Sequence, residues 1–273
     1  LKGSHIVRSG SEVYKIKHAP FKNKDELESF GGLIIVFQDI TKEHELDNMR
    51  KEFVANVSHE LKTPITTIKS YTETLLESEV DKEIENKFLN IINEESDRMN
   101  RLVSDLLKLS NLDYKKTKWN KSLVDINSLI EDCLLKLDFS SKEKNQEIIV
   151  KLNKNIEKLY IDKDAIQQVL LNILTNAIKY NDHNGLIEVK STEEEKEIII
   201  SIKDNGPGIS KEDLDRIFER FYRVEKGRSR ELGGTGLGLS IAKEIVEAHG
   251  GSLKLTSELS KGTRVDIILP KDI

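Results

Sequence analysis

Apolar side chains recur at alternating steps of four and three residues along two long stretches of this chain, and that spacing predicts two amphipathic helices. The first helix is predicted from about Ile40 to Ser78, and residues 78–81 interrupt the pattern before the second helix begins. The repeating seam is formed by Leu61, Ile65, Ile68, Thr72 and Leu75 in the first helix and by Phe88, Ile92, Glu95, Met99, Leu102, Leu106 and Leu109 in the second. A repeat of this kind predicts an antiparallel hairpin that packs as coiled coils do.

Two helices cannot close a core by themselves, and each helix of this hairpin has its own apolar seam. Two copies of the hairpin would bury all the seams in a four-helix bundle. We therefore predict a homodimer whose dimerising segment is residues 41–114.

Residues 1–40 have the pattern of β-strands. Apolar and charged residues alternate over residues 13–17, and an apolar run of strand composition follows over residues 33–37. Two strands are marginal by themselves in water. We therefore expect this segment to be the C-terminal end of a larger domain, or to pair with strands elsewhere.

Helix and strand patterns intermix after a polar linker near residues 114–120, which predicts an α/β sandwich domain over residues 115–273, with helices on one face of a mixed sheet. Strands are predicted at 148–152, 187–190, 198–203, 252–256 and 265–269, and helices at 126–137, 163–180, 211–217 and 239–248. We expect Trp119 to anchor the linker against the core. We expect His249 to end the last helix, where the helix dipole favours a cation, with Gly250 as the cap.

The composition narrows the range of functions. The chain has 273 residues and a net charge of −5, which argues against a nucleic-acid binder held by broad electrostatics. Cys133 is the one cysteine, so an internal disulfide is excluded, and we expect it to be a small buried residue. The sequence has no apolar run of membrane-spanning length and no secretory signal. Because it begins with Leu1, we expect a fragment of a longer protein.

A histidine, a carboxylate and a hydroxyl occur within five residues in the first helix. His59 and Thr63 lie one turn apart on the same face, whereas Glu60 points about 100° away and needs a suitable rotamer to reach the imidazole. If Glu60 accepts the Nδ1 proton, the Nε2 lone pair is available as a nucleophile. Pro64 lacks an N–H group and predicts a bend beside the histidine. Alone, a His-Glu pair is more often a solvated surface feature.

A polar row follows one face of the predicted helix at 163–180. Asn172, Asn176 and Lys179 are spaced by four and three residues. Amide oxygens suit Mg²⁺ that is bridged by nucleotide phosphates, and a lysine can neutralise a phosphate. By themselves, such residues usually form only the solvated face of a helix.

Two glycine-containing segments have the character of ligand-binding loops. Asp204, Gly206 and Gly208 follow a strand, where a carboxylate can accept a hydrogen bond from an exocyclic amine, although Asn-Gly after a strand is also an ordinary turn. Residues 233–239 open a helix and can offer N–H groups to an anion, but they match neither the P-loop nor the dinucleotide fingerprint. The polar stretch between these segments predicts a mobile lid that carries arginines able to bind phosphate: Arg220, Arg223, Arg228 and Arg230.

Taken together, these residues resemble the sensor histidine kinases of two-component systems, over roughly residues 40–270. The resemblance includes the histidine box at residues 58–64, the N box at 172–180, the first glycine box at 204–208, the F box at 218–221 and the second glycine box at 234–238. Five boxes in the same order are far more specific than any one of them. Residues 31–41 look like the end of a PAS sensor domain.

The resemblance implies a dimerisation and phosphotransfer hairpin followed by an ATP-binding domain of the type shared with gyrase and the Hsp90 chaperones. His59 would be the phosphoacceptor, Glu60 its general base, and Thr63 a residue that helps to orient water during dephosphorylation of the partner. Asn176 would bind Mg²⁺. The other residues implied to bind ATP are Asn172, Lys179, Tyr180, Asp204, Gly206, Gly208, Arg223, Gly234, Thr235, Gly236, Leu237 and Gly238.

The expected function is ATP-dependent phosphorylation of His59 followed by transfer to an aspartate of a response regulator, with phosphatase activity toward that regulator. Bending at Pro64 would switch between the two activities. We expect the cytoplasmic portion of a protein that is anchored in the cell membrane in its full length. Two alternatives stay open: an ATP-driven conformational machine that shares only the nucleotide-binding fold, and a non-catalytic dimeric scaffold.

Overall fold

A computed structural model describes residues 3–22, 30–77, 80–113, 117–224 and 234–271 of the chain. The chain divides into two compact units, Leu1–Lys62 and Thr63–Ile273. The division falls within the first long helix, α1 (Thr41–Glu77).

The first unit contains an antiparallel sheet of three strands. These are β1 (Gly3–Ser9), β2 (Glu12–Lys22) and β3 (Phe30–Asp39), and they lie side by side in that order. The prediction of strands in residues 1–40 is confirmed. The strand β1 was not predicted, and it pairs with β2 along its whole length.

The start of α1 is fastened to this sheet by hydrogen bonds. The Val13 N–H group donates to Thr41 Oγ1 at 3.0 Å, and the Ile40 N–H group donates to the Val13 carbonyl at 2.9 Å. The Thr41 hydroxyl donates to Asp39 at 2.6 Å and lowers the pKa of that carboxyl group. A carboxylate beside the first turn is also favoured by the helix dipole, so the helix has a defined beginning.

The two long helices of the predicted hairpin are confirmed as α1 and α2 (Lys82–Asp113). In the second unit, the rings of Tyr71 and Phe88 pack with centroids 4.7 Å apart and join the end of α1 to the beginning of α2. Residues 78 and 79 of the predicted interruption lie outside the described residues. Two positions of the predicted seam of α2, Leu102 and Leu109, are buried in the single chain.

The rest of the second unit is an α/β domain. Its helices are α3 (Ile126–Glu143), α4 (Lys163–Tyr180), α5 (Lys211–Leu214) and α6 (Gly238–Ala248). Its strands are β4 (Lys121–Val124), β5 (Glu147–Leu152), β6 (Leu159–Asp162), β7 (Leu186–Glu193), β8 (Glu197–Asp204), β9 (Ser252–Glu258) and β10 (Gly262–Pro270). The predicted elements are confirmed, although α3 continues six residues beyond its predicted end at Leu137 and α5 ends three residues before its predicted end at Ile217. The short strands β4 and β6 were not predicted.

The main sheet is mixed, as predicted, and its strand order is β5-β7-β8-β10-β9. The pair β5 and β7 is parallel, and the other neighbouring pairs are antiparallel. The strands β4 and β6 form a separate antiparallel pair. The beginning of β7 lies beside the end of α4, because Asn181 Nδ2 donates to the Leu186 carbonyl at 3.2 Å, and the end of β8 pairs with the beginning of β7.

Apolar side chains of the sheet and of α3, α4 and α6 form the core. Along β8, alternate residues Ile198, Ile200 and Ile202 are buried, as expected for a strand with one covered face. Leu170 of α4 is fully buried. Cys133 of α3 is buried as predicted, and burial raises the pKa of its thiol to about 11, so it is a packing residue and not a reactive thiolate.

None of the helices in the described ranges is both long and apolar enough to cross a membrane.

The core assignment predicts the effect of shortening a leucine in α4. Leu170→Ala should lower the free energy of unfolding by about 2–5 kcal/mol, because it removes buried methyl groups and leaves a cavity. Leu135→Ala is the matched control, since Leu135 is 75% exposed on α3 and should change stability by less than about 0.5 kcal/mol. Urea denaturation followed by circular dichroism measures both, and equal losses would contradict this assignment of the core.

Candidate functional site

The helix α4 presents the polar row toward the glycine-rich segment. Its first turn is capped by Asp162, whose carboxylate accepts from the Ala165 N–H group at 3.0 Å. Asn176 lies in the middle of the polar face and is half-buried. Within the described residues its side chain has no hydrogen-bond partner, so its amide is available to a ligand.

Asn172 has a structural role in the described chain. Its Nδ2 donates to the Gly238 carbonyl at 2.9 Å, and its Oδ1 accepts from Gln168 at 3.1 Å. The first of these bonds ties α4 to the beginning of α6. Its predicted place beside the phosphates stays a prediction, and the bond to Gly238 brings the second glycine box to the polar row.

Lys179 lies at the end of the polar row, beside Tyr180 and the second glycine box. Its Nζ is 3.3 Å from the Tyr180 hydroxyl, and a Cβ atom added to Gly234 would lie 2.8 Å from the same Nζ. Burial, followed by the nearby charges of Arg223, Arg98 and Lys144, lowers the pKa of Lys179 to about 8. Burial raises the pKa of Tyr180. A positive group that is partly withdrawn from water is well suited to pair with an anion.

The first glycine box forms a turn around the carboxylate of Asp204. Its Oδ1 accepts from the N–H groups of Gly206 at 2.9 Å and of Thr263 at 3.1 Å, and burial raises the pKa of the carboxyl group. Both bonds end on Oδ1, which leaves Oδ2 to accept from a ligand. Gly208 has a φ of 70°, and a Cβ atom there would lie 2.1 Å from the Glu258 carbonyl oxygen, so only glycine fits.

The second glycine box is held in place by two hydrogen bonds and by one buried side chain. Arg223 donates to the Gly234 carbonyl at 2.9 Å, and the Phe221 N–H group donates to the Gly236 carbonyl at 3.0 Å. The side chain of Leu237 is fully buried. Gly236 has a φ of 72°, and a Cβ atom there would lie 2.9 Å from the backbone of Phe221.

The beginning of α6 is open to an anion. No side chain caps its first turn, since the position before Gly238 is occupied by Leu237. The N–H groups of such a turn, together with the helix dipole, favour negative charge. Gly233 of the predicted segment 233–239 lies outside the described residues, as do Arg228 and Arg230 of the predicted lid.

The helix α2 contacts the same region. The Thr235 hydroxyl donates to Asp105 of α2 at 3.2 Å, and burial raises the pKa of the Asp105 carboxyl group. One turn away, Lys108 donates to Gln168 of α4 at 2.5 Å. This contact between α2 and the second glycine box was not predicted.

The predicted phosphoacceptor region is regular helix. His59 and Thr63 are exposed, Glu60 is half-buried, and α1 continues through Pro64, which is buried. His59 and Glu60 belong to the first compact unit, whereas Asn172 and the other predicted nucleotide ligands belong to the second. The structure therefore places the described residues that are predicted to bind ATP in one compact unit. The roles of His59, Glu60 and Thr63 stay predictions.

His249 differs from its prediction as a charged residue at the end of a helix. It is fully buried, its Nε2 accepts from the Asp162 N–H group at 3.3 Å, and its Nδ1 lies 2.8 Å from the Ile245 carbonyl. Burial lowers the pKa of His249, so the neutral imidazole joins the end of α6 to the beginning of α4. Trp119 packs edge-on against it at 4.7 Å, which confirms Trp119 as an anchor.

Comparison with known proteins identifies both parts of the chain. Residues 49–115 match the His Kinase A (phospho-acceptor) domain, and residues 161–273 match the family of histidine kinase-, DNA gyrase B- and HSP90-like ATPases. The chain is 45% identical over 242 residues to the sensor histidine kinase WalK of Bacillus subtilis, which covers 88% of this chain and 39% of that protein. It is 42% identical over 245 residues to the sensor protein kinase WalK of Staphylococcus aureus, which covers 89% of this chain and 59% of that protein.

A solved structure has a similar fold. The crystal structure of histidine kinase ThkA in complex with the response regulator protein TrrA has a TM-score of 0.67 and 25% sequence identity, and covers 99% of this chain and 78% of that chain. The chain spans less than two thirds of the length of both WalK relatives.

The lowered pKa of Lys179 predicts how the affinity for a polyphosphate changes with pH. Below pH 8 the side chain carries its positive charge, and above pH 8 it becomes neutral. The affinity for a fluorescent ATP analogue should therefore fall about tenfold as the pH rises from about 7.5 to about 9.5, where the phosphate itself is already ionised.

Lys179→Arg is the control for this titration, because a guanidinium group stays charged throughout the range. Fluorescence anisotropy should show a flat affinity for that variant. A wild-type affinity that does not change over this range would mean that the Lys179 charge does not contact the phosphates.

Proposed function

We propose, from the premise that this chain belongs to the sensor histidine kinases of two-component systems, that it binds Mg·ATP at α4 and transfers the γ-phosphoryl group to His59. The observation that carries the proposal is the convergence of Lys179, Asp204 and the second glycine box in one α/β domain that matches the ATPase family. The match to the phosphoacceptor domain over residues 49–115 includes His59 and supports its role as the acceptor.

The adenine end of the nucleotide would bind at the first glycine box. Asp204 Oδ2 would accept a hydrogen bond from the exocyclic amine of the base, since Oδ1 already accepts from Gly206 and Thr263. Tyr180 is 42% exposed at the end of α4 and would lie against the base. A base that lacks the exocyclic amine would leave the Asp204 carboxylate without this partner.

The phosphate end would bind between α4 and α6. Lys179 and Arg223 supply positive charge on either side of Gly234, and the first N–H groups of α6 supply donors. Phosphoryl transfer depends mainly on positioning and on charge neutralisation, which these groups provide.

The residues present fit a magnesium ion that is held mainly by the nucleotide. No group of three or more His, Cys, Asp or Glu side chains that could hold a metal occurs in the described part of the chain. Asn176 offers a half-buried amide oxygen with no hydrogen-bond partner in the same part. Mg²⁺ commonly takes one or two protein ligands, several waters and substrate phosphates. Bound there, the ion would neutralise charge on the phosphates.

The chemical step would proceed at His59. Glu60 accepts the Nδ1 proton and stabilises the imidazole while Nε2 attacks the γ-phosphorus. The bond from the γ-phosphorus to the bridging oxygen breaks, ADP leaves, and the N–P bond of phosphohistidine forms. The phosphoryl group then passes to an aspartate of a response regulator, the partner class that accompanies ThkA in its crystal structure.

A homodimer would cover apolar surface that the single chain leaves exposed. Met49, Ile65 and Leu76 of α1 are 56%, 51% and 81% exposed. Pairing of two hairpins in a four-helix bundle would bury residues of this kind. The PAS-like character of residues 1–40, the domain boundaries near 40 and 114, the phosphatase role of Thr63 and the membrane anchor of the full-length protein stay predictions.

The alternative of an ATP-driven conformational machine is disfavoured by the family match over residues 49–115, because a clamp that shares only the nucleotide fold has no need of a phosphoacceptor domain.

The proposal predicts a phosphoprotein of defined chemistry. Incubation with γ-labelled ATP and Mg²⁺ should label the protein, with label that is stable in alkali and lost in acid, and His59→Gln should abolish it. The control is His44→Gln on the same helix, which should retain the label, because His44 contacts Asn48 and not the histidine box. Retained label in His59→Gln would exclude His59 as the acceptor, and ATP hydrolysis without any label would favour the conformational machine.

The assigned roles also predict opposite outcomes for two small polar residues. Asn176→Ala should abolish labelling, because it removes the amide oxygen proposed for Mg²⁺, whereas the exposed neighbour Thr175→Ala should leave it intact. Thr63→Ala should retain labelling and lose the dephosphorylation of the regulator. Normal labelling in Asn176→Ala, measured at limiting Mg²⁺, would remove Asn176 from the metal site.

A further inference from the structure

The last carbonyl groups of α4 are bound by two side chains from a distant turn. Lys144 Nζ donates to the carbonyl oxygens of Ile178 at 3.1 Å, Lys179 at 2.6 Å and Asn181 at 3.2 Å. Gln146 Nε2 lies 3.0 Å from the Ile178 carbonyl, 3.3 Å from the Asn181 carbonyl and 3.1 Å from the Asp182 carbonyl. All three N–H groups of the lysine therefore have an acceptor.

The backbone of that turn fixes where the two side chains point. Asn145 has a φ of 52°, its N–H group donates to the Lys142 carbonyl, and the Gln146 N–H group donates to the Ser141 carbonyl, each at 2.9 Å. This is the Schellman pattern that ends many helices. The Lys144 carbonyl in turn accepts from the Asn184 N–H group at 3.0 Å, so the ends of α3 and α4 hold each other.

Burial of the Gln146 side chain is partly unfavourable for the folded state. It is 9% exposed, and its Oε1 has no hydrogen-bond partner among the described residues. A buried acceptor without a partner lowers the stability of the folded state. The Gln146 amide is present in spite of this unfavourable contribution, and its Nε2 group donates to the carbonyl groups at the end of α4. An apolar side chain of similar length would avoid the unfavourable contribution and lose only these contacts.

The bonded carbonyl groups belong to the residues that adjoin the proposed nucleotide site. Lys179 carries the ammonium group beside Gly234, and Tyr180 is its neighbour. Asn181 extends the connection to the first glycine box, because a Cβ atom on Gly206 would lie 3.2 Å from Asn181 Oδ1. Holding the backbone of residues 178–182 in place therefore also positions the Lys179 ammonium group and the surroundings of Asp204.

We propose that Lys144 and Gln146 are positioning residues for ATP, which hold the end of α4 so that Lys179 and Tyr180 are in place before the nucleotide binds. This inference rests on the proposed function of the site. Neither residue touches the ligand. Their effect on binding comes from preorganisation, since a loose segment would have to be ordered when ATP binds. The Lys144 charge also contributes to the lowered pKa of Lys179, and the charge of a bound polyphosphate would offset that repulsion.

The decisive experiment compares Lys144→Met with Lys142→Met in the whole chain. Lys142 is two residues away, and among the described residues its ammonium group pairs only with the exposed Asp138, at 2.6 Å. Lys142→Met therefore makes the same change in charge without removing contacts to α4. Lys144→Met should raise both the Kd for Mg·ATP and the KM for ATP about tenfold, with the rate of His59 labelling at saturating ATP within about twofold of wild type. Lys142→Met should bind as wild type does, and Lys144→Arg should restore most of the affinity.

Gln146→Met provides a second variant, which keeps the length of the side chain and removes the buried oxygen without a partner. It should stay folded and should also weaken Mg·ATP binding, by about threefold to tenfold. Calorimetry gives the affinities, and thermal denaturation reports the fold. Wild-type affinity in a folded Lys144→Met or Gln146→Met would overturn the proposal, and so would equal weakening in Lys142→Met. If wild-type protein itself fails to bind Mg·ATP, the proposed function is what fails.

Discussion

The end of α4 has to satisfy its last carbonyl groups and still leave one side open to a ligand, and much of the α/β domain depends on this constraint. A helix leaves its final carbonyl groups without partners inside the helix. Lys144 and Gln146 supply donors from the side of α3. The parallel pairing of β5 with β7 makes that possible, because Glu147 lies opposite Leu186 and sets the two preceding turns side by side. An antiparallel pairing would place those turns at opposite ends of the strands.

The helix α2 is joined to the α/β domain by a hydrogen bond that lies between two buried leucines of the same helix. Leu102 and Leu109 are buried, and between them Asp105 accepts from Thr235. Apolar burial is non-directional, whereas a hydrogen bond between two partly buried groups fixes one register. Thr235 belongs to the second glycine box. The hydrogen bond between Thr235 and Asp105 therefore joins the hairpin to the anion-binding segment, and the desolvation of Asp105 makes a misaligned pairing costly.

Local sequence patterns predicted the elements of this fold better than its long-range contacts. The long helices and the main strands follow from periodicity, and Asn176 and Lys179 lie on one face of α4 because their spacing requires it. Lys144 was not predicted, because it meets the end of α4 across 34 or more residues and belongs to no motif. The burial of His249, which keeps its imidazole neutral, was not predicted for a similar reason. It depends on contacts with Trp119 and Asp162, which are distant in sequence. Patterns of spacing carry no information about which distant element supplies a partner.

From the like charges around Lys179 we expect the site to favour an anion over a neutral ligand. Burial and the charges of Arg223, Arg98 and Lys144 all act in the same direction, against the protonated form of Lys179. A folded chain without a ligand bears that repulsion as a cost. A bound polyphosphate would offset that repulsion at Lys179, so part of the binding free energy would come from relief of repulsion that is already present in the fold. A neutral ligand of the same shape would gain the contacts and leave the repulsion in place.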